Sequence, residues 1–339
     1  MQDFQGKKVL VTGACGTVGS ELVRQLAESP AEHIVCLDNN ESELFFLGET
    51  YRHLSKVSVH LADVRDFNSL SMRMSGVDII LHAAALKHVG ICEDSPAQAI
   101  STNIMGTQNV IDAALLHKVE RVIFTSSDKA VNPTSVMGVS KLMGERLMTA
   151  AAQVAMSRDD EASTIFASTR FGNVLGSRGS VVPLFKRQIQ GGGPITLTDK
   201  EMTRFIMTLE EAASLVLESV WMVSGGEVMV TKMPVAKIQD IANVMVAETQ
   251  ASKSVEVIEI GAKPGEKMYE ELMNDEEVRR TYEHGRFFVV MSAFADLSAD
   301  CFKYLAGCGK PSKPYNSALE PAMDNSELRD YLKTAGVIG

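Results

Sequence analysis

Cysteine is scarce in this 339-residue chain, and the few cysteines are not grouped. No two of them form a Cys-x-x-Cys pair; they are Cys15, Cys36, Cys92, Cys301 and Cys308. Their scattered spacing indicates neither a disulfide framework nor a structural zinc site. The sequence therefore predicts no bound metal.

Positive charge and long apolar runs are lacking as well. The 33 Lys and Arg residues are outnumbered by 43 Asp and Glu residues, which gives a net charge of −10. Such a chain is a poor candidate for binding nucleic acid or a membrane surface, although a local site can still bind a phosphorylated small molecule. The apolar stretch at 212–223 carries Glu218 and is too short to cross a membrane, and no basic, apolar leader opens the chain. We expect a cytoplasmic protein without membrane insertion.

The first half of the chain alternates short apolar runs with helix-like segments. Strands are predicted at 8–12, 33–37, 57–61, 78–82 and 121–125. Apolar runs without polar alternation are typical of parallel strands that helices cover on both faces. The pattern predicts an α/β fold with a Rossmann-type doubly wound parallel sheet across residues 1–170.

The composition of the sequence changes after residue 170. Glycine-rich loops at 171–180 and 191–198 are followed by an alternation of helix and strand. We expect 205–248 to return to the nucleotide-binding domain. The segments 171–204 and 249–339 are predicted to form a smaller C-terminal substrate-binding lobe.

A glycine pattern, Gly13-x-x-Gly16-x-x-Gly19, follows the first strand and opens a predicted helix. Glycine in these positions allows a tight turn, close approach of the backbone to a pyrophosphate, and close packing of the helix on the strand. The helix N-terminus adds free N–H groups and the positive end of a dipole. The pattern predicts a dinucleotide-binding turn that includes Thr17 and Val18, and an ordinary loop is the alternative.

Asp38 ends the second strand, where a carboxylate suits a ribose 2′-hydroxyl and repels a 2′-phosphate. The sequence therefore favours NAD over NADP, and a helix or turn cap is the alternative role for Asp38. We expect Asp63 and Val64 at the adenine, although an aspartate in a surface turn would give the same pattern. Ala83 and Ala84 after the fourth strand are small enough for a cofactor to lie against the backbone, but plain helix-forming alanines would look alike.

Several ordered motifs accompany the glycine turn. They are HAAALKHV at 82–89, TSSDKAVNPTSVMGVSKLMGE at 125–145, RFGNVLGS at 170–177, MTRF at 202–205 and PGEK at 264–267. With these motifs the chain resembles the extended short-chain dehydrogenase/reductase family. More narrowly, it resembles the bacterial polysaccharide-biosynthesis UDP-N-acetylglucosamine 4,6-dehydratases of the CapD type. The similarity covers nearly the whole chain.

Three features depart from the wider family. The family uses Tyr-x-x-x-Lys, and here Met137 takes the place of the tyrosine in the catalytic segment, ahead of Lys141. A thioether has no acidic proton and cannot take a proton from a sugar hydroxyl, but one branch of these dehydratases carries Met there. Lys263 replaces a common arginine, which weakens the expectation of a bidentate nucleotide contact. Many relatives also have an N-terminal membrane region, whereas this chain starts at the first strand.

The resemblance implies oxidation of a nucleotide sugar at C4, loss of water across C5–C6, and reduction at C6. It assigns Asp128 as the acid for the C6 hydroxyl and Lys129 as the base at C5; an Asp–Lys pair in a surface turn is the alternative. Ser127 is expected at the C4 oxygen and Lys141 at the nicotinamide ribose, with a turn serine and a solvated lysine as alternatives. A lysine base needs a lowered pKa, which burial favours and Asp128 opposes. The acceptor of the C4 hydroxyl proton stays open among Asp128, Lys129, Ser127 and water.

The substrate implied by the resemblance is UDP-N-acetylglucosamine. Its contacts are carried over to Lys87, Asn173, Arg178, Arg204 and Glu266. Arginine suits a pyrophosphate because its planar fork donates paired, charge-assisted hydrogen bonds. A surface salt bridge is the alternative for each of these residues.

Three functions are open at this point. The preferred one is a 4,6-dehydratase that retains configuration at C5, because the sequence around Met137 resembles that of the retaining branch. A nucleotide-sugar 4-epimerase would need the same fold and cofactor but normally keeps the tyrosine. A catalytically silent NAD-binding regulator would be consistent with its loss. The resemblance also implies a homo-oligomer.

Overall fold

The computed structural model describes residues 2–157, 163–248, 255–261, 265–295 and 300–338. Lys263, Pro264 and the start of the predicted lobe segment at 249 lie outside the described residues. The strands are β1 (Lys8–Thr12), β2 (His33–Asp38), β3 (Val57–Leu61), β4 (Ile79–His82), β5 (Arg121–Thr125), β6 (Ile165–Arg170), β7 (Asn173–Val174), β8 (Ile195–Leu197), β9 (Thr203–Met207), β10 (Val228–Thr231), β11 (Val235–Lys237), β12 (Val257–Glu259), β13 (Glu271–Met273), β14 (Thr281–His284), β15 (Phe287–Val290) and β16 (Tyr315–Asn316).

The α-helices lie mostly between strands of the main sheet. They are α1 (Thr17–Glu28), α2 (Glu41–Tyr51), α3 (Phe67–Met72), α4 (Val89–Asp94), α5 (Pro96–Ala99), α6 (Gly106–Leu116), α7 (Val136–Met156), α8 (Val181–Gln190), α9 (Leu209–Met222), α10 (Ile238–Glu248), α11 (Asp275–Val278) and α12 (Asn325–Thr334). None of these described helices combines the length and the apolar composition that crossing a lipid bilayer requires.

The largest sheet among the described residues has nine strands in the order β14-β15-β10-β6-β5-β4-β1-β2-β3. Strands β1 to β6 and β10 run parallel, and the β14–β15 hairpin adds an antiparallel edge beside β10. The order 3-2-1-4-5-6 is that of a Rossmann fold, in which ligands bind where the strand order reverses, here between β1 and β4. The predicted Rossmann-type α/β fold is confirmed.

The central strands are buried because helices cover both faces of the sheet. Val9 and Val11 of β1 belong to the same apolar cluster as Leu22 of α1. Leu10, between them, belongs to the cluster on the other face with Val110 of α6. Because neighbouring side chains along a strand point to opposite faces, a continuous apolar run supplies both layers.

The sequence between the fourth and fifth strands has a helix-like segment at 97–117, which the structure interrupts. A π-helical turn, Ile100–Met105, separates α5 from α6. Asn103 in this turn donates to the carbonyl of Leu86 (2.9 Å) and accepts from its amide (2.8 Å). These bonds fix the chain segment that follows β4, at the reversal point of the sheet. π turns of this kind occur often at functional sites.

The smaller lobe follows β6, and its described part contains the short sheets β11-β9-β7, β12-β8 and β13-β16. Its apolar core includes Phe185 and Ile241. Helix α9 packs on α1 and β10 pairs with β6, so part of 205–248 lies in the main sheet layer. The β14–β15 hairpin also extends the main sheet, although the sequence assigned 249–339 to the lobe, because the apolar run Phe287–Val290 pairs along β10. The domain boundaries remain a prediction.

Candidate active site

The turn between β1 and α1 can be made only with glycine. Gly13 has a φ of +66°, and a Cβ built on it would lie 2.7 Å from the Cα of Ala84. A Cβ on Gly19 would overlap the carbonyl oxygen of Gly13. Both close approaches bring the first turn of α1 against the end of β1 and the segment after β4. The backbone is therefore shaped as the glycine pattern predicts.

The N-terminus of α1 presents backbone amides that have no acceptor within the helix. Gly16 is the N-cap residue and offers no side chain to cap the helix. The amides of Thr17, Val18 and Gly19 are in the first helical turn, where no carbonyl of the helix can accept from them. Free amides at the positive end of a helix dipole form a cradle that fits a phosphate group.

Asp38 at the end of β2 connects the glycine turn to α2. Its carboxylate accepts from the amide of Cys15 (2.9 Å) and from the amide of Asn40 (3.0 Å). Asp38 also lines a cavity of about 510 Å³. Other predicted cofactor residues on that cavity wall are Gly13, Gly16, Asp63, Val64, Ala83 and Ala84.

Asp63 is already paired on the wall of this cavity. Arg65 donates to both of its carboxylate oxygens, at 2.9 Å from Nε to Oδ1 and 2.6 Å from Nη2 to Oδ2. These hydrogen bonds outweigh the effect of burial and lower the pKa of Asp63 to about 2. Asp63 is therefore an anion at neutral pH.

A second cavity, of about 640 Å³, opens from the same glycine turn towards the end of β5. It brings together most of the residues predicted for catalysis and substrate binding. Those on its wall are Lys87, Ser127, Asp128, Lys129, Met137, Lys141, Asn173 and Arg178. Predicted cofactor residues also line it, namely Gly16, Thr17, Val18, Gly19 and Ala83. The two cavities share Gly16, Ala83 and Arg178, so one groove runs from Asp38 to the Asp128–Lys129 pair.

The turn after β5 holds Ser127, Asp128 and Lys129 in one hydrogen-bonded group. Ser127 Oγ donates to Asp128 Oδ1 at 2.7 Å and accepts from the Lys129 amide at 3.3 Å. Lys129 Nζ lies 3.1 Å from Asp128 Oδ1. Asp128 is only 1% exposed, and no residue in the described part of the chain forms a hydrogen bond with its Oδ2. Asp128 is thus buried, whereas the side chain of Lys129 is half-buried and 27% exposed at the cavity wall. The acid and the amine form a pair at the strand end, and not an exposed pair in a surface turn.

Glu270 completes this group and was missed by the sequence analysis. Its Oε1 lies 3.1 Å from Lys129 Nζ, on a side chain that is almost fully buried. Burial and the charge of Asp128 raise the pKa of Glu270 against the opposing effect of Lys129. Burial lowers the pKa of Lys129, but the carboxylates of Asp128 and Glu270 outweigh it and raise that pKa. A lysine base needs a lowered pKa, and Lys129 in this structure has a raised one. Glu270 follows the PGEK motif closely, which was the one available signal.

Met137 and Lys141 lie one turn apart on α7, beside the couple. Met137 is 4% exposed and packs against Cys92 and Ala99. A Cβ on Gly138 would overlap the carbonyl oxygen of Lys129, so α7 begins directly against the turn that follows β5. Lys141 Nζ donates to the carbonyl of Thr125 at 2.8 Å, and burial lowers its pKa to about 8.

His82 at the end of β4 is a buried structural residue. Its Nδ1 lies 2.7 Å from Thr12 Oγ1 and its Nε2 lies 3.1 Å from Thr107 Oγ1. Burial, assisted by the charge of Lys141, lowers the pKa of His82 to about 3. A neutral imidazole here ties β4 to β1 and α6, beneath the glycine turn.

Two predicted substrate residues are not among the described residues lining the 640 Å³ cavity. Arg204 is buried and donates to the carbonyls of Thr203 and Lys267, each at 2.7 Å. Glu266 accepts from Thr198 Oγ1 at 2.8 Å. The guanidinium of Arg204 is therefore engaged in holding the 267–270 segment of the lobe.

Arg178 lies nearer to the nucleotide end of the groove than the sequence analysis assumed. Its Nη2 pairs with Glu43 Oε2 at 3.0 Å, and its amide donates to Thr17 Oγ1 at 3.3 Å. Both partners belong to the elements around the dinucleotide turn. The contact of Arg178 with a substrate stays a prediction.

Comparisons with known proteins agree with this picture. The family described as "Polysaccharide biosynthesis protein" matches residues 9–292. An uncharacterized membrane protein of Methanocaldococcus jannaschii is 44% identical over 85% of this chain and 86% of its own length. The capsular polysaccharide biosynthesis protein CapD of Staphylococcus aureus is 40% identical over 82% of this chain, which spans only 47% of that relative.

Relatives of nearly equal length carry two kinds of enzyme name. A Campylobacter jejuni protein named UDP-N-acetylglucosamine 4,6-dehydratase (inverting) is 34% identical over 95% of this chain and 94% of its own. A Rickettsia bellii protein named UDP-glucose 4-epimerase is 36% identical over 87% of this chain and 86% of its own. Among solved structures, Pen from Bacillus thuringiensis aligns with a TM-score of 0.90 at 37% identity, covering 99% of both chains.

Proposed function

The chain belongs to the polysaccharide biosynthesis protein family, and on that basis we propose that it is an NAD-dependent UDP-N-acetylglucosamine 4,6-dehydratase that retains configuration at C5. The observation that carries the proposal is the pair formed by buried Asp128 and half-buried Lys129, set in a groove that begins at a glycine-rich dinucleotide turn. A dehydratase needs an acid and a base beside a redox cofactor, and this groove offers both.

The glycine turn and the first turn of α1 fit the pyrophosphate of NAD. In this proposal the amides of Thr17, Val18 and Gly19 hold the pyrophosphate and Asp38 accepts from the ribose hydroxyls. Asp63 and Val64 face the adenine, and Lys141 binds the nicotinamide ribose. When bound, NAD supplies a reversible two-electron oxidation of the sugar.

Asp38→Arg is expected to weaken NAD binding and to shift the preference towards NADP. The carboxylate that suits the 2′-hydroxyl is lost, and a cation that suits a 2′-phosphate replaces it. Titration of the variant and of the wild type with both cofactors, followed by tryptophan fluorescence or calorimetry, measures the ratio of dissociation constants. Asp3→Arg is a charge-matched control outside the groove. An unchanged ratio in Asp38→Arg would mean that Asp38 is only a cap for Cys15 and Asn40.

The proton steps of the proposed reaction use groups that are already in contact. The raised pKa keeps Lys129 as an ammonium, so it must release a proton before it can act as a base at C5. Asp128 Oδ1 lies 3.1 Å from Nζ. Transfer of one proton between them produces a neutral amine and a protonated carboxyl together. The amine then takes the C5 proton while the carboxyl protonates the departing C6 hydroxyl.

Met137 stands in the cavity wall where the wider family has a phenol. It offers no proton, so the C4 hydroxyl loses its proton to Asp128, Lys129, Ser127 or water in this proposal. The retained C5 configuration follows from the resemblance of this segment to the Met-containing branch. The relatives named as inverting enzymes make that stereochemistry a point to be measured.

The names of the Rickettsia relatives favour a second candidate, a nucleotide-sugar 4-epimerase. Such an enzyme needs only redox chemistry at C4, and neither a C5 base nor an acid at C6. The Asp128–Lys129 couple would then have no task, and Met137 would remove the group that an epimerase uses at the C4 hydroxyl.

Incubation of the purified protein with NAD and UDP-N-acetylglucosamine tests the proposal. A dehydratase gives a product lighter by one water molecule in the mass spectrum. A product of unchanged mass with a different sugar would indicate an epimerase, and a folded, NAD-binding protein without turnover would indicate the silent regulator.

Lys87, Asn173 and Arg178 are the proposed substrate contacts. The cytoplasmic location and the homo-oligomer stay predictions.

A further inference from the structure

Lys129 is held between two carboxylates that come from different parts of the chain. Asp128 precedes it in the turn after β5, and Glu270 precedes β13 in the lobe. Both Asp128 Oδ1 and Glu270 Oε1 lie 3.1 Å from Lys129 Nζ. Asp128 lines the 640 Å³ cavity, whereas Glu270 is not among its described lining residues. Lys129 therefore has one anion on the cavity side and one behind it.

Glu270 is itself fixed in place by the lobe. Its amide donates to Ser317 Oγ at 3.0 Å, and Ser317 donates its own amide to the carbonyl of Glu270 at 2.9 Å. Arg204 Nε lies 3.8 Å from Glu270 Oε1. Arg204, predicted as a substrate contact, thus supports Glu270 from behind. A row of charged groups runs from Arg204 through Glu270 and Lys129 to Asp128.

The hydrogen-bonding capacity of the Glu270 carboxylate is only partly used by the described residues. Its Oε2 is buried and has no hydrogen-bond partner among the described residues, and the same holds for Oδ2 of Asp128. Burying a second carboxylate beside Asp128 is costly, because the carboxylate loses its hydration and is repelled by Asp128, and only a cation such as Lys129 offsets this cost. The cost of burying Glu270 is therefore consistent with a task for its carboxylate at Lys129 Nζ.

We infer that Glu270 is a positioning residue for the proposed dehydratase reaction: it fixes Lys129 Nζ and directs the lone pair of the neutral amine into the cavity. A neutral amine keeps two N–H bonds and has one lone pair. When one N–H donates to Glu270 Oε1, behind Lys129, the lone pair is left to face the cavity side. This inference rests on the proposed function for its catalytic part, and on the Lys129–Glu270 contact alone for its electrostatic part.

Glu270→Gln is the central variant, because it removes the charge and keeps the shape. Glu270→Asp keeps the charge at a shorter reach. Glu271→Gln is the matched control, since the neighbouring Glu271 contacts Asn132 and not Lys129. Competitive labelling of the apoprotein with acetic anhydride, read by peptide mass spectrometry over a pH series, gives the apparent pKa of Lys129 in each variant.

Glu270→Gln is expected to lower the apparent pKa of Lys129 by about one unit or more, because one of its two anions is lost while Asp128 and Arg204 stay. It should reduce kcat by about 10- to 100-fold with KM within about threefold, since a misplaced group costs rate although it does not touch substrate. The acid limb of the kcat–pH profile should move to lower pH. Glu270→Asp should recover part of kcat, and Glu271→Gln should match the wild type in every readout.

The inference is overturned when folded Glu270→Gln shows the wild-type pKa of Lys129, or wild-type kcat and pH profile. Thermal melting reports folding, and where Glu270→Gln does not fold, the same readouts on Glu270→Asp decide. An inactive wild type counts against the proposed function, whereas the labelling result still decides whether Glu270 controls Lys129. The two failures are therefore distinguishable.

Discussion

Replacing Lys129 by methionine is expected to lower kcat for the loss of water from UDP-N-acetylglucosamine by about 10³-fold. Methionine preserves most of the side-chain length and cannot carry a proton, so the base at C5 is removed with little change in packing. Positioned acid–base groups typically contribute 10²- to 10⁴-fold to rate. Exchange of the C5 proton with solvent, followed by NMR in deuterated water, should stop together with turnover.

NAD binding should be nearly unchanged in Lys129→Met, because the dinucleotide turn and Asp38 lie at the other end of the groove. Lys237→Met is the matched control, since Lys237 is a surface residue that pairs with Glu201. Turnover of Lys129→Met at the rate of this control would contradict its role as the base.

Replacing Arg170 by methionine is expected to destabilise the fold by about 3–5 kcal/mol, because it leaves buried carboxylates without their cation. Arg170 is 1% exposed, and its Nη2 lies 2.6 Å from Glu145 Oε2 and 2.8 Å from Glu277 Oε1. Glu145 belongs to α7 and Glu277 to α11, so the guanidinium joins the main sheet layer to the lobe. Urea unfolding followed by circular dichroism measures the change in the free energy of unfolding.

Arg52→Met is the control for this measurement. Arg52 pairs with Glu49 at 3.5 Å on the surface, and its side chain is 80% exposed. Exposed ion pairs contribute roughly 0–1 kcal/mol. An equal loss of stability in the two variants would mean that the Arg170 network does not hold the lobe on the sheet.

The features predicted correctly from the sequence depend on neighbours along the chain. The strands, the glycine turn and the position of Asp128 and Lys129 at a strand end all follow from local pattern together with the rule for parallel sheets. Gly13 and Gly19 could be assigned to a tight turn because their residue type alone restricts what the backbone does. Local pattern was sufficient wherever the partner of a residue lies in the same strand–turn–helix unit.

The features that were missed depend on contacts between distant segments. Glu270 meets Lys129 only after the lobe has docked, so no spacing in the sequence relates them. The π-helical turn within 97–117 contains Asn103, whose side chain bonds to the backbone of Leu86, outside that segment. Arg204 looked like a phosphate ligand by type, but the carbonyls of Thr203 and Lys267 use its donors. The same chemistry that suits a ligand also suits the protein's own backbone.

The most direct test of the account uses UDP-N-acetylglucosamine that carries deuterium at C4. The account predicts a product lighter by one water molecule that keeps the deuterium, now at C6, with unchanged configuration at C5 in the NMR spectrum. A product of unchanged mass, or a dehydrated product whose C4 label has been lost to solvent, would contradict the claim that one groove carries out an internally balanced oxidation, elimination and reduction.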